Sequence, residues 1–197
     1  MSNLELNKGD NFIFGCDVSA SMGATDTPTG ASRIDYLKEK IQLFIGEAGK
    51  YDEDGIDVIT FGHSINHIAG VTPDKASEIV SRLKATEMST DTAGLINKAY
   101  AVHKAGGYEQ TVLFVATDGE PSDKAAVQSA IVEITKDLKE EHEFAISFLT
   151  VGKRTPALEA FLTSLDDDLK GAKYDIVDVK TLEEVDFIQA FAGALHD

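Results

Sequence analysis

The sequence predicts an α/β fold, a three-layer sandwich in which a mostly parallel six-stranded sheet with one antiparallel edge strand lies between helices on both faces. Three observations carry this. Short apolar runs alternate with stretches of helical periodicity along nearly the whole chain, the pattern of strands joined by crossover helices. One run, Thr111 to Ala116, is nearly all apolar, as in a central strand covered on both faces. One connection, at Gly62-His63, is too short for a crossover, which makes its two strands antiparallel.

The elements follow in order. Phe12 to Cys16 is a buried-strand candidate. Ser32 opens a helix with Asp35 as its capping-box partner, and Ile34, Leu37, Ile41, Phe44, Ile45 and Ala48 follow at helical spacing. Ile56 to Phe61 and Ser64 to Val71 are the hairpin strands. Thr72-Pro73 is a cap and first-turn proline for a helix carrying Ala76, Ile79, Val80 and Leu83. Thr92 to Lys104 is a helix stopped by Gly106-Gly107. After the Thr111 strand, Ser122 is the expected cap of a helix with Val127, Ala130, Ile131, Ile134 and Leu138 on one stripe. Phe144 to Val151 is a strand, Thr155-Pro156 starts a helix through Leu165, and Tyr174 to Val179 is the last strand. Thr181 and Glu184 form a second capping box before Leu182, Val185, Ile188, Phe191 and Leu195. The arrangement is Rossmann-like, one domain over residues 1–197 with a core from about 11 to 194, and right-handed crossovers are expected.

The chain has 197 residues, 43% hydrophobic and 26% charged, an ordinary globular balance long enough to bury a core. Its 34 acidic residues against 18 basic ones give a formal charge of -16. That excess repels nucleic-acid phosphates and anionic membranes, so neither is an expected partner. Cys16 is the lone cysteine, so no intrachain disulfide forms, and within its apolar run it reads as a small buried hydrophobe. No secretory signal or membrane span stands out, and the expected location is the cytoplasm.

In such sheets ligands bind beyond the carboxyl ends of the strands, where strand order reverses. Three loops there are chemically unusual: Asp17-Val18-Ser19-Ala20-Ser21-Met22, Ser89-Thr90-Asp91-Thr92, and Thr117-Asp118-Gly119-Glu120-Pro121-Ser122-Asp123. They offer carboxylates and hydroxyls without imidazole or thiol. Hard oxygen donors select Mg²⁺, Mn²⁺ or Ca²⁺ over zinc or copper, and few charges among several hydroxyls suit an ion that keeps some waters. Every second side chain of Asp17, Ser19 and Ser21 can face one point as the chain leaves its strand. Asp118 reaches that point from a neighbouring strand, and Thr90 from a third loop.

These residues resemble the von Willebrand factor A domain, and the site is similar to its metal-ion-dependent adhesion site. Asp17, Ser19 and Ser21 match the family's Asp-x-Ser-x-Ser at the end of the first strand. Thr90 matches its threonine before a helix, with Thr92 a second candidate, and Asp118 matches its aspartate, usually followed by glycine, after the fourth strand. The likeness runs from about Asn11 to about Ala194. The Asp118 to Asp123 stretch looks like cytosolic bacterial members of the tellurium-resistance type. Met88 stands where many members carry glycine, and the loop from Gly23 to Ala31, with Asp26 and Thr27, is long. The resemblance implies that Ser19, Ser21 and Thr90 bind the metal directly and that Asp17 and Asp118 bind mostly through waters. It also implies an open position for an Asp or Glu from a partner protein, so the expected function is a cation-dependent protein-binding module and not an enzyme.

Two other functions compete. A phosphatase or phosphotransferase of the haloacid-dehalogenase type also places an aspartate after its first strand beside Mg²⁺. It needs a carboxylate two residues later, where this chain has Ser19, and a phosphate-holding lysine, for which no candidate stands out. The other is a scaffold whose metal only fixes the loops. Neither Gly-x-Gly-x-x-Gly nor a P-loop follows the first strand. His63 and His67 fall in the hairpin and read as surface or turn residues, not a zinc pair, and His103, His142 and His196 have no evident ligand partners. Asp166-Asp167-Asp168 and Asp52-Glu53-Asp54 read as solvated acidic turns, and Tyr108 and Phe148 as packing residues.

Overall fold

The computed structural model describes residues 10–49, 54–167, 169–183 and 185. Its described elements run β1 (Asp10–Asp17), α1 (Arg33–Ala48), β2 (Ile56–Phe61), β3 (Ile65–Val71), α2 (Pro73–Ser81), α3 (Thr92–Gly106), β4 (Gln110–Thr117), α4 (Lys124–Asp137), β5 (Phe144–Thr150), α5 (Pro156–Asp166) and β6 (Val177–Thr181). The six strands form one sheet in the order β3-β2-β1-β4-β5-β6. Every pairing is parallel except β2 with β3, whose two strands meet across the short turn the sequence predicts.

Alternation along β1 divides the core. Phe12, Phe14 and Cys16 face α1 and α2, joining Leu37, Ile41, Phe44, Ala76 and Val80. Ile13 faces the other layer, with Leu95, Ile96 and Ala99 of α3, Val127 and Ile131 of α4, and Leu158 and Leu162 of α5. Phe14, Phe44 and Phe114 meet with ring centroids 4.9 to 6.4 Å apart, fixing α1 over the two central strands. On the opposite face Gly15 lets α3 approach. A Cβ there would lie 2.6 Å from Leu95 Cδ2 and 3.3 Å from the Phe114 carbonyl, so a side chain would push α3, and the Thr90 loop that leads into it, off the sheet.

Local chemistry sets most helix starts as expected. The Ser32 hydroxyl accepts from Asp35 N at 3.2 Å, and Thr155 accepts from Leu158 N at 3.1 Å, with proline in the first turn of α5. Two expectations are corrected. The cap of α4 is Asp123, which accepts from Ala126 N at 2.9 Å, and Ser122 is engaged elsewhere. The last strand starts at Val177, not Tyr174. Tyr174 and Lys173 are drawn off the ladder because the tyrosine hydroxyl donates to the Lys139 carbonyl and Lys173 Nζ donates to the Leu138 carbonyl at the end of α4. Asp52, Glu53, Asp168, His196, Glu184 of the second capping box, and the helix expected through Ile188, Phe191 and Leu195 lie outside the described residues. No helix among the described residues is long and apolar enough to cross a membrane.

Candidate metal centre

From β1 the chain goes to β2 on one side and reaches β4 on the other. The carboxyl ends of β1 and β4 therefore bound the crevice where strand order reverses. Asp17 is the last residue of β1, Thr117 the last of β4, and Asp118 follows it. The loop that carries Thr90 is drawn in by backbone pairing: Thr86 N and Glu87 N donate to the Val18 carbonyl, Ala20 N donates to the Glu87 carbonyl at 2.7 Å, and Asp91 N donates to the Gly62 carbonyl at 2.9 Å.

Four of the five predicted site residues join one chain of hydrogen bonds. Asp17 Oδ1 accepts from Ser19 N at 2.8 Å. The Ser19 and Ser21 hydroxyls lie 3.0 Å apart. Ser21 Oγ donates to Asp118 Oδ1 at 2.8 Å. Thr90 lies outside that chain: its N–H donates to Ser122 Oγ and its carbonyl accepts from Ser122 N, both at 3.0 Å. Ser122 thus stitches the Thr90 loop to the Asp118 loop. Thr92 is instead the first residue of α3 and is buried, with Asp91 capping that helix through Gly94 N at 2.9 Å.

Three residues that contact the site carboxylates or each other were not legible as neighbours in the sequence. Thr117 Oγ1 donates to Asp17 Oδ2 at 2.6 Å. Arg33, the first residue of α1, donates from Nη1 to Asp118 Oδ2 at 2.7 Å. Its Nε and Nη2 take both oxygens of Asp26 at 2.6 and 2.7 Å. Asp26 lies in the long loop that the sequence marks as a departure, so the signal was a loop without an assigned task; Arg33 carries no local signal beyond its place at a helix start.

The electrostatics of the two carboxylates differ. Asp17 is fully buried, and burial pushes its carboxyl up to about 6. The hydrogen bonds from Ser19 and Thr117 oppose that shift, and the nearby negative charge of Asp118 adds to it. Its two oxygens are held by an amide and a hydroxyl, both neutral donors. Asp118 has a guanidinium against it. Behind the site, burial holds the Cys16 thiol far above its ordinary range, with Asp17 contributing, so it is no nucleophile.

Among the described residues no three His, Cys, Asp or Glu side chains gather as a metal cage. The centre is two carboxylates with hydroxyls, all hard oxygens, around a buried negative charge that neutral donors alone support. That donor set fits a hard divalent cation of the Mg²⁺ or Mn²⁺ kind and does not fit zinc. His67 lies 3.1 Å from Asp57 on the hairpin edge and His63 is exposed in the turn, so the two histidines form no second site.

A family model for the von Willebrand factor type A domain matches residues 12–121. Among solved structures, the SpRpn10 VWA domain superposes with a TM-score of 0.60 at 15% identity, covering 93% of each chain. A von Willebrand factor type A protein from Catenulispora acidiphila gives 0.65 at 16% identity over 94% of this chain and 43% of that one. The manganese-loaded TRAP protein of Plasmodium vivax gives 0.61 at 12% identity over 92% of this chain and 72% of that one. At these identities the likeness is one of fold. No protein of curated function matches the chain.

Proposed function

The chain belongs to the von Willebrand factor type A domain family, a family that typically binds proteins, and from that premise we propose that it is a divalent-cation-dependent protein-binding module whose metal-ion-dependent adhesion site is built by Asp17, Ser19, Ser21, Thr90 and Asp118. The observation that carries the reading is the continuous hydrogen-bond chain from Asp17 through Ser19 and Ser21 to Asp118, at the carboxyl ends of adjacent central strands. Ser19, Ser21 and Thr90 would bind the ion directly, and Asp17 and Asp118 would hold it mainly through waters. Mg²⁺ is the first choice of ion, with Mn²⁺ and Ca²⁺ as substitutes. When bound, the cation supplies a positive centre that accepts an Asp or Glu carboxylate from the partner. A protein of similar fold, the TRAP protein of Plasmodium vivax, has been solved with manganese, which supports the choice of ion class.

The chain's own residues shape the rest of the surface. Ser21 is exposed, so the outer end of the ligand row is accessible. Met88, two residues before Thr90, is 90% exposed and offers an apolar contact at the rim for a side chain flanking the partner's carboxylate. Ser19 stands where a haloacid-dehalogenase-type enzyme needs its second carboxylate, which supports binding over turnover. The Asp118 to Asp123 run looks like that of cytosolic bacterial members of the tellurium-resistance type, which supports a cytoplasmic location.

Two measurements test this. Mg²⁺ or Mn²⁺ raises the melting temperature of the wild-type chain by mass action and shifts Asp118→Ala far less; equal shifts remove the site. Capture from the native lysate in Mg²⁺ recovers a partner with wild type and not with Asp17→Ala or in chelator. Equal capture by both proteins in chelator leaves the metal a structural role only.

A further inference from the structure

We propose that Arg33 is a built-in counter-cation of this centre: it neutralises Asp118 and thereby sets how tightly the centre holds a divalent ion and how much positive charge is left for a partner's carboxylate. The inference rests on the cation-site reading above and adds the element that tunes it.

The guanidinium is held on two sides. Its fork takes both oxygens of Asp26 at 2.6 and 2.7 Å, and its remaining amino group takes Asp118 Oδ2 at 2.7 Å. The side chains are largely withdrawn from water, 13% exposed for Arg33, 26% for Asp26 and 0% for Asp118. The arrangement is built into the fold. Lys153 N donates to Asp26 Oδ2 at 3.1 Å, and Arg33 N donates to the Ala24 carbonyl at 2.8 Å. Gly152, at φ 72°, lies against the pair so closely that a Cβ would sit 2.5 Å from Arg33 Nε and 2.7 Å from Asp26 Oδ1. Both oxygens of Asp118 are therefore committed, one to the Ser21 hydroxyl and one to Arg33.

The charge count gives the consequence. Asp17, Asp118 and Asp26 contribute three negative charges when ionised and Arg33 one positive, a net of -2 that a divalent cation brings to zero. Without Arg33 the cluster carries -3, so the ion is held more tightly and its field is more fully quenched. Without Asp26 the cluster carries -1, and the freed fork can take Asp118 in a bidentate grip, so the ion is held more weakly. A purely structural Arg33 predicts the reverse for its own removal, because a loosened Asp118 is a poorer ligand.

The sign of the change in Mn²⁺ affinity decides between them. Free Mn²⁺ is counted by electron paramagnetic resonance in titrations of the full chain at pH 7.5, with circular dichroism to establish folding. Arg33→Gln is expected to tighten Mn²⁺ about ten-fold and Asp26→Asn to weaken it about ten-fold, the size of removing one charge near a partly screened ion. Arg33→Lys, which keeps the charge and loses the fork, stays within about three-fold of wild type. Arg33→Gln that binds as wild type or more weakly overturns the inference. If Arg33→Gln does not fold, Asp26→Asn alone decides, and affinity equal to or above wild type overturns it. Binding by Arg33→Gln but not by wild type supports it. Absence of saturable Mn²⁺ binding in wild type and Arg33→Gln alike overturns the cation site itself.

Discussion

Replacing Thr117 by valine deletes one hydroxyl from the centre while keeping the shape of a β-branched side chain at a strand end. The hydroxyl donates to Asp17 Oδ2 at 2.6 Å, with Thr117 2% exposed and Asp17 fully buried, so no water takes its place. A hydrogen bond to an ionised buried group contributes about 1.5–3 kcal/mol, and about 2 kcal/mol is the expected cost. The 3.4 Å contact from Gly119 N to the same oxygen is long and adds little. Unfolding entropy of about 2.1 cal/mol/K per residue over this length gives roughly 0.4 kcal/mol/K, so the melting temperature falls by about 5 °C. The assay is urea denaturation followed by far-ultraviolet circular dichroism at pH 7.5 in chelator, where Asp17 is ionised. In an Asp17→Asn background the same change costs about 1 kcal/mol or less, because the acceptor is then neutral. Mn²⁺ affinity falls by about ten-fold, as it does when a partner orienting a metal ligand is removed. A cost below about 0.5 kcal/mol, or the same cost in both backgrounds, refutes the claim that Thr117 supports a buried charge.

Three further outcomes are expected. Thr90→Ala lowers Mn²⁺ affinity by about ten-fold with little change in melting, whereas Thr92→Ala, at a buried position opening α3, costs roughly 1 kcal/mol of stability and leaves affinity unchanged; calorimetric titration showing the reverse moves the metal-side threonine to Thr92. Gly152→Ala is strained at φ 72° and its Cβ meets Arg33 and Asp26, so it destabilises by about 1–3 kcal/mol, and a urea midpoint equal to wild type shows that the loop yields freely. His103 is held below its ordinary range by burial, with Lys104 adding to the shift and Glu143 opposing it, while its Nδ1 lies 2.9 Å from Thr111 Oγ1 and its ring packs on Tyr100 and Phe144. The unfolded chain then takes up the proton more readily, so its contribution to stability is full above about pH 6.5 and is lost as pH falls from there through the folded value; urea midpoints between pH 7.5 and 5.5 should decline more steeply for wild type than for His103→Gln, and equal slopes refute this.

What the sequence made legible was local. The change between strand and helix periodicity placed the sheet elements, and the short Gly62-His63 connection gave the antiparallel edge pair, because both depend on residues a few positions apart. The same holds for Asp17, Ser19 and Ser21: their alternate spacing at the end of an apolar run is a local pattern. Asp118 was visible for the same reason, as the first charged residue after an apolar strand. Local reasoning failed where two neighbours competed for one task. Ser122 and Asp123 are both good caps, and Asp123 caps α4 because Ser122 is needed by the Thr90 backbone, 32 residues earlier. Tyr174 has strand propensity, yet its hydroxyl is drawn to the end of α4.

The sequence by itself determined the alternating α/β architecture and which loops gather carboxylates and hydroxyls, since these follow from periodicity and residue chemistry along the chain. Only the tertiary structure decided which side chains share a charge. Thr117 meets Asp17 across 100 residues, and Arg33 meets Asp118 across 85. Those pairs exist because the strand order sets β1 beside β4 and α1 starts at the carboxyl edge of the sheet. A buried carboxylate takes whichever donor the fold delivers to it, and the order in which strands pair is written in packing across the whole sheet, not in the spacing of neighbours along the chain.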